Sequence, residues 1–128
     1  MSFHTELQKA LYARLNSGLT TPVYDSPPQD AAFPYVTIGD TAHAPFDTDN
    51  SVGSEALMSV HVWDNYNGNK RILALLDEIY SLLNRQPLAV TGYNVLDVMY
   101  DASPAPFLDA DGKTRHGVST FRLLLDEV

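Results

Sequence analysis

Near the N-terminus apolar residues recur at every fourth position: Phe3, Leu7, Leu11 and Leu15, with Ala10 beside them. This spacing lines one face of a helix, with Ser2 as its cap and Gly18 as its stop. Residues 19–33 hold Pro22, Pro27 and Pro28 and read as irregular, with a short extended piece at Val23 and Tyr24. The period then shortens to two. Residues 35–45 predict a strand with Val36, Ile38, Ala42 and Ala44 on one face and Tyr35, Thr37, Thr41 and His43 on the other. Pro34 restricts Phe33 to extended backbone, so the chain enters this strand in a defined direction with two aromatic rings at its start. Residues 46–54 are polar, acidic and glycine-containing, and predict a loop. A second strand follows at 55–64, with Ala56, Met58, Val60 and Val62 opposite Leu57, Ser59, His61 and Trp63. The two strands predict an antiparallel hairpin.

The period lengthens again after the Asn65–Gly68 turn. Ile72, Leu73, Leu75, Leu76, Ile79, Tyr80, Leu82 and Leu83 form a broad apolar face on a helix over 70–85. Asn67 or Asn69 caps it, and Pro87 prevents its continuation. Leu88–Val90 reads as a short strand and Tyr93–Ala102 as a longer one. Pro104 and Pro106 then bend the chain away or mark a sheet edge, and Asp109–Gly112 is a turn. The last strand spans about 114–127, with Phe121, Leu123 and Leu125 on one face. The expected fold class is α+β: an antiparallel sheet of about four to five strands with two main helices packed on it, in the order α-β-β-α-β-β plus short extended pieces. At 128 residues this is one domain.

The sheet face away from the helices is not cleanly polar in this reading. It carries Leu57 and Trp63, Val95 and Met99 or their neighbours, and Val118 and Leu124. A single-layer sheet alternates apolar-in with polar-out, so something covers the second face: the chain's own proline-rich segment or another subunit.

Composition removes several classes of chemistry. The chain has no cysteine, which excludes disulfides, thiolate metal sites and cysteine nucleophiles. No apolar segment is long enough to span a bilayer, and the N-terminus lacks the basic-then-apolar pattern of a signal peptide. The expectation is a protein made in a cytoplasm. The formal charge is −8, from 8 basic and 16 acidic residues, and the basic ones are scattered. Tight DNA binding needs them clustered. An acidic surface is compatible with a channel through which DNA slides, and equally with plain solubility.

Candidate chemistry is weak. His4, His43, His61 and His116 show no metal-ligand spacing. His43 and His61 could face one another across the first hairpin, as half-exposed strand residues. Asp47–Asn50 and Asp109–Gly112 hint at calcium loops, but the second has its glycine too early and Val118 where the closing glutamate belongs. It reads better as a turn. There is no GxSxG, no phosphate-binding glycine loop and no distinguished carboxylate pair. Catalytic, metal and cofactor-binding residues are therefore all expected to be none. The aromatic set Tyr24, Phe33, Tyr35, Trp63, Tyr66, Tyr93 and Tyr100 lacks the basic groove of a single-strand binder, and reads as core packing and subunit contacts.

Several stretches, taken in order, resemble the phage tail completion (tail terminator) family of siphophages and gene transfer agents. They are the helix LQKALYARL, the segment Tyr24…Pro28…Phe33-Pro34-Tyr35-Val36, the strand ending VHVWD, the Gly68 turn, the helix ending LLNRQPL, and the hairpin DGKTRHGVSTFRLLL. The resemblance covers nearly the whole chain and brings no catalytic residues. It implies a structural component of a virion or gene-transfer-agent particle, assembled in the bacterial host cytoplasm. Such a component forms a ring, typically hexameric, that ends tail tube polymerisation. It meets the tail tube protein on one side and the head-tail connector protein on the other, with DNA only as passing cargo and no membrane. Candidate subunit or tail contacts are Phe33, Tyr35, Asp47, Asp49, Leu57 and Trp63. A neck protein and a non-viral α+β binding module are the alternative readings.

Overall fold

Two helices lie on one face of a single mixed sheet in the computed structural model, which describes residues 3–45, 47 and 53–127, the Asp40 side chain excepted. The elements are α1 (Phe3–Gly18), β1 (Val23–Tyr24), β2 (Tyr35–Pro45), β3 (Gly53–Asp64), α2 (Lys70–Leu83), β4 (Tyr93–Ala102), β5 (Phe107–Leu108) and β6 (Arg115–Glu127). The sheet order is β1-β2-β3-β6-β4, with β5 pairing β6 off that path. The α+β class and the order of the main elements agree with the sequence. The sheet differs from expectation in two respects. Among the described residues it has six strands, and it is mixed, because β1 runs parallel to β2 with Val23 opposite Val36. Leu88–Val90 forms no strand; Val90 makes only an isolated bridge to Tyr93.

The core follows the periodicities. Phe3, Leu7, Leu11 and Leu15 of α1 and Ile72, Leu75, Leu76, Ile79 and Leu83 of α2 are buried against Val36, Ala56, Met58, Val60, Val62, Phe121, Leu123 and Leu125. Leu73 and Tyr80, read from sequence as part of the α2 apolar face, are 49% and 43% exposed, so the buried stripe is narrower than predicted. Gly18 is the last residue of α1, and its value lies in close approach: a Cβ there would sit 2.5 Å from Leu82 Cδ2 of α2. The Ser2 cap falls outside the described residues.

The end of α2 is set earlier than Pro87. Arg85 takes a left-handed φ of 58°, donates its N–H to the Val98 carbonyl at 2.7 Å and pairs with Asp97. Asn84 accepts the Tyr100 N–H at 2.9 Å. From α1, Arg14 reaches the Leu82 carbonyl at 3.0 Å and the Pro87 carbonyl, placing a cation where helix carbonyls lack partners. At the other end of α2, Asn69 occupies the cap position, but its side chain accepts from Arg115 Nη1 at 3.1 Å instead of capping.

A bulge changes the β2 pattern. Pairing with β3 steps from Ile38↔Val60 to Thr41↔Met58, so one extra residue sits on β2. Val36 and Ile38 face the helices as predicted. Beyond the bulge the alternation inverts, and Thr41 and His43, not Ala42 and Ala44, share the face of Met58 and Ala56. His43 accordingly packs on Phe3 of α1, with ring centroids 4.5 Å apart. A bulge in β4 between Val95 and Asp97 acts likewise: Val95 packs against the core, while Met99, opposite Arg122, stays on the open face.

Candidate functional site

The sheet face turned away from the helices carries a row of rings running across the strands. The registers Tyr35↔Trp63, Trp63↔His116 and His116↔Phe107 place one ring on each of β2, β3, β6 and β5 at the same level. Adjacent strands are about 4.8 Å apart, close enough for neighbouring rings to touch. Trp63 lies flat on His116, with centroids 3.8 Å apart and planes 15° apart. Tyr35 stacks towards Trp63 at 6.4 Å, Phe33 extends the row over Tyr35 at 5.4 Å, and Phe107 closes the far end at 4.9 Å from His116. The indole N–H of Trp63 donates to Thr37 Oγ1 at 3.0 Å, which fixes the ring's rotation. Burial, then the nearby Asp109 charge, raises the Tyr35 hydroxyl above its usual pKa.

A hydrogen-bonded line crosses the row. Ser59 Oγ is 3.1 Å from His61 Nε2, and His61 Nδ1 is 2.6 Å from His116 Nε2. His116 Nδ1 lies 3.8 Å from an Asp109 oxygen, within electrostatic reach but beyond a hydrogen bond. Burial and the neighbouring His61 both lower the His116 pKa, against an opposing pull from Asp109. The expected facing of His43 and His61 does not occur. The β2 bulge sends His43 to the helix face, where Ser54 Oγ meets its Nε2 at 2.9 Å.

Of the residues selected from sequence, Phe33, Tyr35 and Trp63 come together in this row. Leu57 shares the open face, but six residues along β3, about 20 Å away at the strand rise. There it lies between Ala42 and Arg122, and Arg122 pairs with Glu55 at 3.5 Å. Asp47 sits near the opposite end of the sheet from Trp63, and its carboxylate accepts the Gly53 N–H at 3.2 Å. Asp49 lies outside the described residues. Sequence reasoning missed His61, His116 and Phe107. The His61-x-Trp63 spacing did place two rings on one strand face, but their partners on β5 and β6 depend on a register that no local pattern carries.

The Asp109–Gly112 stretch is a turn with Gly112 at φ 71°, and Asp111 accepts from the Lys113 and Thr114 amides and the Thr114 hydroxyl. Among the described residues no three potential metal ligands gather, and no helix is long and apolar enough to cross a membrane.

Comparison with known proteins adds the following. The family model for tail completion protein gp17 matches residues 8–126. The tail completion protein gp17 of Bacillus phage SPP1 is 31% identical over 127 residues, covering 94% of this chain and 92% of that protein. The solved structure of bacteriophage SPP1 gp17 superposes with a TM-score of 0.61 at 28% identity, over 93% of this chain and 88% of that one. A chain in the virion of a native gene transfer agent particle has a TM-score of 0.88 over 98% of both chains. Its 19% identity makes it a likeness of fold.

Proposed function

The chain belongs to the tail completion protein gp17 family, and on that premise we propose that it is a tail terminator: a ring of copies that ends tail tube growth and joins the tail to the head connector. It is a structural component of a tailed particle and not an enzyme. The match across residues 8–126 carries this reading.

The open sheet face supports the ring. It exposes Leu57 at 36% and Phe107 at 46%, and leaves Phe33, Tyr35 and Trp63 half-buried in the single chain. Covering such a face gains apolar burial without unfolding anything. A contact between two different patches, repeated around an axis, closes into a ring when the rotation permits. Asp47 at the hairpin end and the net charge of −8 suit a part that meets DNA only in passage.

Particles assembled without this protein test the reading. Abnormally long tails are expected. Tailless, DNA-leaking heads would assign the chain to the connector instead. Leu57→Glu and Phe33→Glu should keep the monomer folded while abolishing rings in sedimentation and in tail assembly. Rings that form unchanged in both variants would remove this face from the contact.

A further inference from the structure

We propose that neighbouring copies join flank to flank, with Tyr12 and Lys9 of α1 in one copy seated in the apolar groove between α2 and β4 of the next. This contact rests on the ring reading above and names the surfaces that close it.

The groove arises because the apolar face of α2 is wider than its own core requires. Leu73, Asp77 and Tyr80 recur at i, i+4 and i+7 and share one side of the helix. With Leu76 they form one wall of an open groove of about 330 Å³; Tyr100 and Ser103 form the other. Tyr80 and Tyr100 meet edge to face at 5.2 Å, and Tyr100 is 39% exposed. One exposed apolar side chain needs no explanation. Leu73, Tyr80 and Tyr100 around a single groove mark a contact surface. Asp77 stands in this wall with no ion-pair partner among the described residues.

Strand addition is not what this edge offers. β4 ends the sheet order, but the Arg85 N–H occupies the Val98 carbonyl, and the Tyr100 N–H is given to Asn84 Oδ1. With those backbone groups taken, recognition here falls to side chains.

The opposite edge carries a complementary surface. β1 is the other end of the sheet order, and α1 packs over β1 and β2. On its outer side α1 presents Lys9 and Tyr12, about one turn apart, beside Asp25. Tyr12 is 40% exposed. Asp25 is held by the Gln8 amide at 2.6 Å. Lys9 pairs with Glu6 at 3.8 Å on the surface, an arrangement worth little and readily exchanged. A tyrosine and an ammonium at helical spacing thus match a leucine, two tyrosines and an unpaired carboxylate. Apolar surface meets apolar surface, and the cation of one copy meets Asp77 of the next. Two helices interdigitate such side chains with their axes about 8–10 Å apart.

The placement of the two patches matters as much as their chemistry. They lie at opposite ends of one sheet order, so the contact is head to tail, as a closed ring requires. A self-complementary patch would stop at two copies. Phe33 stands just before β2, beside β1, on the same edge as α1. The flank contact and the aromatic row can therefore meet the same neighbour.

The chain has no native cysteine, which permits a direct test. Tyr12→Cys and Leu73→Cys in one chain, oxidised in assembled tails and as purified protein, should give a ladder of cross-linked copies up to the whole ring. Either variant alone should give none. Lys9→Glu and Asp77→Lys should each weaken ring formation in sedimentation at least about tenfold, and the two together should restore it. All four positions are exposed, so the fold should survive these changes. Absence of the ladder overturns the contact, as do charge reversals that leave rings unchanged or that the double variant does not rescue. Failure of the terminator reading looks different: the ladder forms, but particles made without the protein have tails of normal length.

Discussion

A Cβ built on Gly39 would lie 2.3 Å from Nε2 of His61 and 2.6 Å from the Ser59 hydroxyl. The bulge in β2 and the histidine line on β3 are thus one arrangement: the missing side chain at 39 makes room for the imidazole. Gly39→Ala must displace both side chains. It should cost about 1–3 kcal/mol and separate His61 from His116. Chemical denaturation measures the first effect and histidine titration the second.

Gly117 and Gly18 should respond differently to the same change. A Cβ at Gly117 would meet Ile72 Cγ2 at 2.6 Å. Ile72 is fully buried and, being β-branched, is stiff. Gly117→Ala should therefore destabilise by about 1–3 kcal/mol. At Gly18 the obstacle is the end of a half-buried Leu82 side chain, and alanine recovers up to about 1 kcal/mol of helix propensity. Gly18→Ala should stay within about 1 kcal/mol of wild type. Equal losses in thermal unfolding would contradict this account of the helix contacts.

Asp64 is fully buried beneath α2. Its carboxylate takes two hydrogen bonds from Arg71, one at 2.9 Å, and another from the Asn65 amide at 2.8 Å. Burial alone would raise its pKa; the Arg71 and backbone bonds outweigh it and hold the carboxyl below the usual aspartate value. The folded state thus binds this proton more weakly than the unfolded one. Its contribution is fully present above the unfolded value near 4 and is lost as pH falls through the folded pKa. Asp64→Ala should cost on the order of 2–4 kcal/mol at neutral pH, and its deficit should shrink in acid. A deficit independent of pH would show that the charge is not what matters.

The turn aspartate behaves alike at lower pH. Hydrogen bonds from Thr114 and Lys113 lower the Asp111 pKa to about 2. Its stabilising effect is complete above the unfolded value near 4 and disappears between there and about pH 2. Asp111→Ala should lower the melting temperature at pH 7 and converge with wild type near pH 2. It should also speed amide exchange at Lys113 and Thr114, whose N–H groups lose their acceptor.

Periodicity by itself determined a good deal of this protein. The four-residue repeat of Phe3, Leu7, Leu11 and Leu15, the alternation of Ala56 to Val62, and the turn at Asp109–Gly112 were all legible, because each depends on neighbours within a few residues. So was the family, through the order of its segments. Tertiary structure decided the rest. One extra residue in β2 moved His43 to the helix face and left His61 for His116, a residue 55 positions away. The parallel β1–β2 pairing and the end of α2 at Leu83, two residues before Arg85, likewise depend on distant partners. The candidate face divides along the same line. Phe33, Tyr35 and Trp63 stand out in the chain as aromatic strand residues, but their alignment with His116 and Phe107 is a matter of register. Register is settled by packing between strands, and no local pattern encodes it.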